Sequence, residues 1–125
     1  MPLSSETIST RQEFSTLLQK NTSIVILKFG ASWCGPCQVI ENAVHSYISS
    51  MPIGIQCIVL DVDECFDLYA YLKSKKIVQG IPCLLAYYAG NTHYAPDEFM
   101  KGTDLNELKR FFDTCLRQYQ SMSSE

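Results

Sequence analysis

Ile24-Val25-Ile26-Leu27-Lys28-Phe29 is a β-branched, nearly all-apolar run, the pattern of a strand covered on both faces of a sheet. Gly30-Ala31-Ser32-Trp33-Cys34-Gly35-Pro36-Cys37 follows at once. From Cys34 onward apolar residues recur every three or four positions, at Val39, Ile40, Ala43, Val44, Tyr47 and Ile48. This predicts a helix that Cys34 opens and that runs to about Ser50, where Met51-Pro52 ends it. Ile55 to Leu60 is a second strand-like run, closing at Asp61-Val62-Asp63. Strand, helix, strand in this order implies parallel pairing through a right-handed crossover.

Outward from this unit the alternation continues. Upstream, Thr10 and Glu13 form a capping-box pattern ahead of Phe14, Leu17 and Leu18, which predicts a first helix to about Lys20. Downstream, Phe66, Leu68, Tyr69 and Leu72 predict a short third helix over 66–73, and Lys73, Lys75 and Lys76 suit its C-terminus. Cys83 to Tyr88 reads as a strand, Ala89-Gly90-Asn91 as a turn and Thr92 to Tyr94 as the start of its hairpin partner. Asp104 with Glu107 caps a last helix whose apolar face is Leu105, Leu108, Phe112, Cys115, Leu116 and Tyr119. The late hairpin adds antiparallel strands, so the expected class is α/β with a mixed central β-sheet flanked by helices.

With 125 residues, 46% of them apolar, one domain can bury a real core. The net charge of −3 offers no basic field for phosphate backbones or anionic lipid, so neither nucleic acid nor membrane is an expected partner. Pro2, Ser4, Ser5 and Glu6 are neither the positive start nor the apolar run of a secretory signal, and a cytoplasmic location is the expectation. The longest apolar stretches are too short to span a bilayer.

Of six cysteines only Cys34 and Cys37 have C-x-x-C spacing, while Cys57, Cys65, Cys83 and Cys115 fall one per element. Near a βαβ pattern, such a pair reads as redox or metal chemistry. A thiol at a helix N-terminus faces unpaired backbone N–H groups and the positive end of the dipole, which should draw the Cys34 pKa down from ~8.5 toward neutrality. Cys37, one helical turn on, can reach the Cys34 sulfur and expel a bound product. Gly35 would permit the tight turn before the helix, Pro36 takes a first-turn position where its missing N–H costs nothing, and Trp33 supplies a flat wall beside the nucleophile. The competing reading is half of a zinc site, but no second C-x-x-C or C-x-x-H exists and His45 and His93 stand alone.

Together these residues resemble the thioredoxin family over nearly the whole chain: the strand Ile24 to Phe29, the hexapeptide Ser32 to Cys37, Leu60-Asp61-Val62-Asp63-Glu64-Cys65, Gly80-Ile81-Pro82, and Gly102 before the last helix. The acidic stretch ending at Cys65 is most similar to eukaryotic cytosolic thioredoxins, and Gly-Pro between the cysteines to the reducing members. The resemblance implies the thioredoxin fold in the order βαβαβαββα, as one domain over residues 1–125 with loose ends at about 1–6 and 121–125. It also implies a cis Ile81-Pro82 bond facing the cysteines, although an ordinary trans start to a strand is the alternative. Trp33, Gly80, Ile81, Pro82 and Gly102 would then line a docking groove for substrate around Cys34.

The chain departs from the family pattern in three ways. Lys28 stands where an aspartate is usually buried beneath the second cysteine, and Val59 stands where that aspartate has its lysine partner. Lys28 could favour a Cys37 thiolate as a cation, accept its proton, or snorkel to solvent. Asn42 replaces a helix-kinking proline, which should leave the second helix straighter. Around Tyr94 to Phe99 the chain is a few residues longer than the usual hairpin, and Lys101 replaces an apolar residue beside Gly102, changes expected to alter partner choice.

Cys83, directly after Pro82, could form an alternative disulfide or complete a three-thiolate metal site, against the reading of a small buried strand residue. Cys65 reads either as a regulatory oxidation or dimerisation thiol or as a plain surface cysteine. Cys57 and Cys115 lie on apolar patterns and are expected in the core. Tyr87, Tyr88 and Tyr94 lack interleaved basic residues and read as sheet packing, and Asp61, Asp63 and Glu64 as a solvated strand end rather than a metal site.

The expected function is thiol–disulfide exchange through Cys34 and Cys37 that reduces protein disulfides, with no bound cofactor. By resemblance, electrons would return from a thioredoxin reductase that uses NADPH. A thioredoxin-fold binding or scaffold subunit of a larger assembly is the rival, motivated by Lys28, Asn42 and Lys101. An oxidant or isomerase is a third reading, which depends on how far Lys28 stabilises the reduced thiolates.

Overall fold

The strand β1 (Ile24–Gly30) is buried at every position, as its apolar run requires. It pairs in parallel with β2 (Ile55–Asp61) and antiparallel with β3 (Cys83–Tyr88), and β3 pairs antiparallel with β4 (Glu98–Lys101). The resulting sheet has the order β2-β1-β3-β4. The computed structural model describes residues 7–123.

Among the described residues four helices cover this sheet: α1 (Arg11–Lys20), α2 (Gly35–Ser50), α3 (Phe66–Ser74) and α4 (Leu105–Ser123). Alternate β1 residues serve opposite faces. Val25, Leu27 and Phe29 join Phe14, Leu18, Leu68 and Leu72 under α1 and α3, whereas Ile24 and Ile26 join Ile40, Val44, Leu108 and Phe112 under α2 and α4. Full burial of each such side chain contributes roughly 1.5–3 kcal/mol, so the central strand anchors two cores at once. The layers are those of a mixed sheet flanked by helices.

Local chemistry sets the helix starts. Thr10 accepts from the Glu13 N–H while Glu13 reaches back to the Thr10 N–H, a reciprocal cap worth about 1 kcal/mol. Asp104 Oδ1 likewise accepts from the Asn106 and Glu107 N–H groups at the start of α4.

The described elements run αβαβαββα. The strand expected to open the order would precede Thr10; residues 1–6 lie outside the described residues, and Thr7 to Ser9 form no strand. Helix α4 continues to Ser123, past the expected loosening at Ser121, because Met122 still packs on the α2/α4 core.

The hairpin partner is Glu98–Lys101, not a strand beginning at Thr92. Residues 91–97 instead form a loop pinned by polar bonds: Asn91 donates to Ala95 O and Asp97, the Tyr87 hydroxyl donates to Tyr94 O, and the Asp97 N–H donates to Ala86 O. These bonds occupy the backbone that a longer ladder would use. Val39 (70% exposed), Phe66 (75% exposed) and Leu105 also depart from the helical stripes predicted for them, since each lies outside the arc its helix turns to the sheet. Phe111, absent from the predicted stripe of α4, is buried.

Candidate functional site

Strand β1 delivers the chain to a short loop, Ala31 to Trp33, and Cys34 then caps α2 in an extended conformation. Its sulfur accepts the Cys37 N–H at 3.2 Å. A thiolate there would keep that N–H and face the positive end of a 16-residue helix. Pro36 occupies the first turn, where no intrahelical donor is lost. Cys34 and Cys37 are disulfide-bonded, their Cα atoms 5.3 Å apart, and both are largely buried.

Gly35 does not make a turn that requires glycine. Its φ is not in the left-handed region, and a Cβ there would meet nothing within 4 Å.

The Ile81–Pro82 bond is cis, as the resemblance implied. It brings the Ile81 carbonyl oxygen to 3.9 Å from Cys34 Sγ, although the two residues are 47 apart in sequence. Gly102, at φ +89°, donates its N–H to Pro82 O at 3.0 Å and so ties the start of β3 to the end of β4. Register continues the tie, with Lys101 opposite Cys83. Gly80 adjoins this segment, with open space where a side chain would lie.

Trp33 is 66% exposed, and its indole N–H donates to Asp63 Oδ2 at 2.7 Å. By sequence Asp63 reads only as part of a solvated strand end, because a partner thirty residues away leaves no local signal. Gln38, which donates to Ser32 O at 3.0 Å and braces the loop across the helix start, was also missed.

Lys28 does not snorkel. It is 7% exposed, and β1 register sets it opposite Val59 on one side and Leu84 on the other. Its side chain turns toward α2, into a cavity of about 450 Å³ shared with Cys37, Glu41 and Asp61. Burial pulls the lysine pKa down, and the nearby charge of Glu41 opposes that shift in part. A Cβ built on Gly30 would lie 3.1 Å from Lys28 Nζ and 3.5 Å from Cys37 Sγ, so ammonium and sulfur flank one point. Helix α2 runs unbroken through Asn42.

The other thiols are core residues. Cys83 is fully buried and burial pushes its pKa up to about 12, as it does for Cys57 and Cys115. Cys65 is a correction: it is 1% exposed, packed among the α1/α3 core side chains, with its pKa raised to about 11 chiefly by burial. The surface reading of Cys65 fails because Leu68 and Leu72, one face of α3, draw the helix start down onto the sheet. Among the described residues no group of three or more His, Cys, Asp or Glu side chains could hold a metal ion, which leaves Cys83 without partners for a three-thiolate site.

A model of the Thioredoxin family matches residues 5–114. The chain belongs to the thioredoxin family. Among curated relatives, thioredoxin 3 of Plasmodium falciparum is 28% identical over 111 residues, covering 88% of this chain and 57% of that protein. Thioredoxin of Equus caballus is 36% identical over 52 residues, 42% of this chain and 49% of its own. Thioredoxin H2 of Arabidopsis thaliana is 35% identical over 51 residues, 41% of this chain and 38% of its own. The chain thus spans well under two thirds of these relatives' lengths. The thioredoxin fold is matched more widely: a solved thioredoxin of Malassezia sympodialis superposes with a TM-score of 0.67 at 23% identity, over 91% of this chain and 93% of that one.

Proposed function

We propose that this chain is a protein-disulfide reductase working through the Cys34/Cys37 dithiol. The observation that carries the reading is the Cys34 sulfur at the N-cap of α2, bonded to Cys37 and facing the Ile81 carbonyl. In the reduced protein the Cys34 thiolate attacks one sulfur of a target disulfide, and the other target sulfur leaves as a thiolate that takes a proton from solvent. Cys37 then loses its proton and attacks Cys34 Sγ. The Cys34–target bond breaks, the target leaves fully reduced and the Cys34–Cys37 disulfide forms.

Trp33, Gly80, Ile81, Pro82 and Gly102 make up the docking groove in this reading, with the Ile81 backbone pairing an extended substrate segment. Residues 1–125 act as one thioredoxin domain in the cytoplasm, and no helix among the described residues is long and apolar enough to cross a membrane. No bound cofactor is required, because the disulfide itself carries the electron pair. A thioredoxin reductase drawing on NADPH restores the dithiol.

The test pairs insulin reduction by the unmodified protein with capture of mixed disulfides by Cys37→Ser in a lysate. Turnover and trapped targets are expected. The absence of both would sink the reading. Stoichiometric co-purification with a single large partner, whether or not Cys34 is present, would assign the chain a scaffold role instead.

A further inference from the structure

Among the described residues Lys28 is the one charged side chain buried in the core. Among the described residues the ion pairs join Arg11 to Asp67, Lys109 to Asp113 and Arg110 to Glu107, and none of these takes in Lys28. A cation withheld from water calls for negative charge nearby. Three groups face the same cavity: Glu41 and Cys37 from α2, and Asp61 from the end of β2. On β2 and β3 its direct neighbours, Val59 and Leu84, are apolar. Glu41 is exposed, and Asp61 already accepts the Asp63 N–H. Cys37 Sγ is buried, and Gly30 lacks the Cβ that would crowd the space between it and the ammonium.

We propose that Lys28 is the positioning residue whose ammonium holds the Cys37 sulfur in its thiolate form for the resolving step. The inference rests on the reductase reading and assigns its second half-reaction an electrostatic partner. In the mixed disulfide, Cys37 gives its proton to solvent. The thiolate left beside Lys28 then donates its electron pair to Cys34 Sγ, and the target sulfur departs with the bonding pair. A carboxylate at residue 28 would act oppositely, raising the thiol pKa by like-charge repulsion unless it took the proton itself.

The decisive measurement is the ultraviolet thiolate titration of Cys37 in a Cys34→Ser background, with and without Lys28→Met. Burial pushes the other four thiols up to about 11 for Cys65 and about 12 for Cys57, Cys83 and Cys115, so they ionise late in the titration. Lys28→Met should raise the Cys37 midpoint by about one unit, and Lys28→Arg should restore it. With Cys34 present, resolution of a glutathione mixed disulfide at neutral pH should slow about threefold: a tenfold loss of thiolate is partly offset by greater intrinsic nucleophilicity. At pH above both midpoints the thiolate fractions are equal, and the greater intrinsic nucleophilicity should leave the variant about threefold faster.

An unchanged midpoint in Lys28→Met overturns the inference, and Lys28→Gln provides the same comparison should the Met variant fail to fold. Loss of insulin turnover in the unmodified protein, with the midpoint shift intact, would instead count against the reductase reading.

Discussion

The Trp33 indole is tied to Asp63 by a 2.7 Å N–H···O bond that joins the loop before the redox pair to the segment after β2. Both side chains are exposed, so the bond orients the ring more than it stabilises the fold. Asp63→Ala should therefore lower stability by less than about 1 kcal/mol. It should nevertheless loosen the indole. Trp33 is the sole tryptophan, which lets fluorescence anisotropy and acrylamide quenching report on it alone. Equal anisotropy and quenching in variant and parent would show that the tether does not hold the ring in solution.

Lys28 also gives the stability a pH signature. Its folded pKa lies below the ordinary 10.5, so the folded state disfavours the charged form. Between the lowered folded value and 10.5 the unfolded chain binds more protons, and this group's contribution makes stability rise with pH through that window. Below the window the penalty is constant. Lys28→Met should accordingly stabilise the oxidised protein at neutral pH, by an amount that shrinks toward pH 10.5. Urea midpoints of the two proteins between pH 6 and 10.5 provide the check; a gap that widens with pH would contradict the assignment.

Gly54 faces the ring of Tyr119 so closely that an added Cβ would sit 2.5 Å from Cε1 and 2.7 Å from the hydroxyl oxygen. Gly54→Ala must displace the Tyr119 ring and should cost about 1–3 kcal/mol in thermal or urea denaturation. Tyr119→Leu in the same chain should recover most of that loss. If the double variant is as unstable as the two single changes predict by addition, the clash is not the cause.

The buried thiols should be chemically quiet. With Cys57, Cys83 and Cys115 at about 12 and Cys65 at about 11, thiolate is scarce at pH 8 and access is blocked. Iodoacetamide applied to the reduced, native protein at pH 8 should label Cys34 fastest and leave these four unmodified until denaturant is added. Rapid native labelling of Cys65 on mass spectrometry would restore the surface reading that its burial overturns.

Much of the architecture is legible in local pattern. The buried run Ile24 to Phe29, the reciprocal Thr10–Glu13 cap and the Asp104 cap each depend on neighbours within four residues, so their signals lie in short windows. Where partners lie farther off, the reading drifts. The second hairpin strand was expected at Thr92 because the turn residues 89–91 precede it, yet Tyr87 and Asp97 hold the intervening backbone in a loop and move the ladder to Glu98–Lys101. Val39, Phe66 and Leu105 fit helical periods, but a period cannot say which edge of an apolar stripe meets the sheet.

The redox pair shows the same division. That Cys34 and Cys37 could bond, with Cys34 at a helix start, followed from two intervening residues and a strand-to-helix junction, all of it chemistry within one turn. Tertiary packing settled the rest, because exposure and charge environment belong to surfaces assembled from remote segments. It set the Ile81 carbonyl beside Cys34, tethered Trp33 to Asp63, sank Cys65 into the core and turned the Lys28 ammonium inward toward Cys37 instead of out to water.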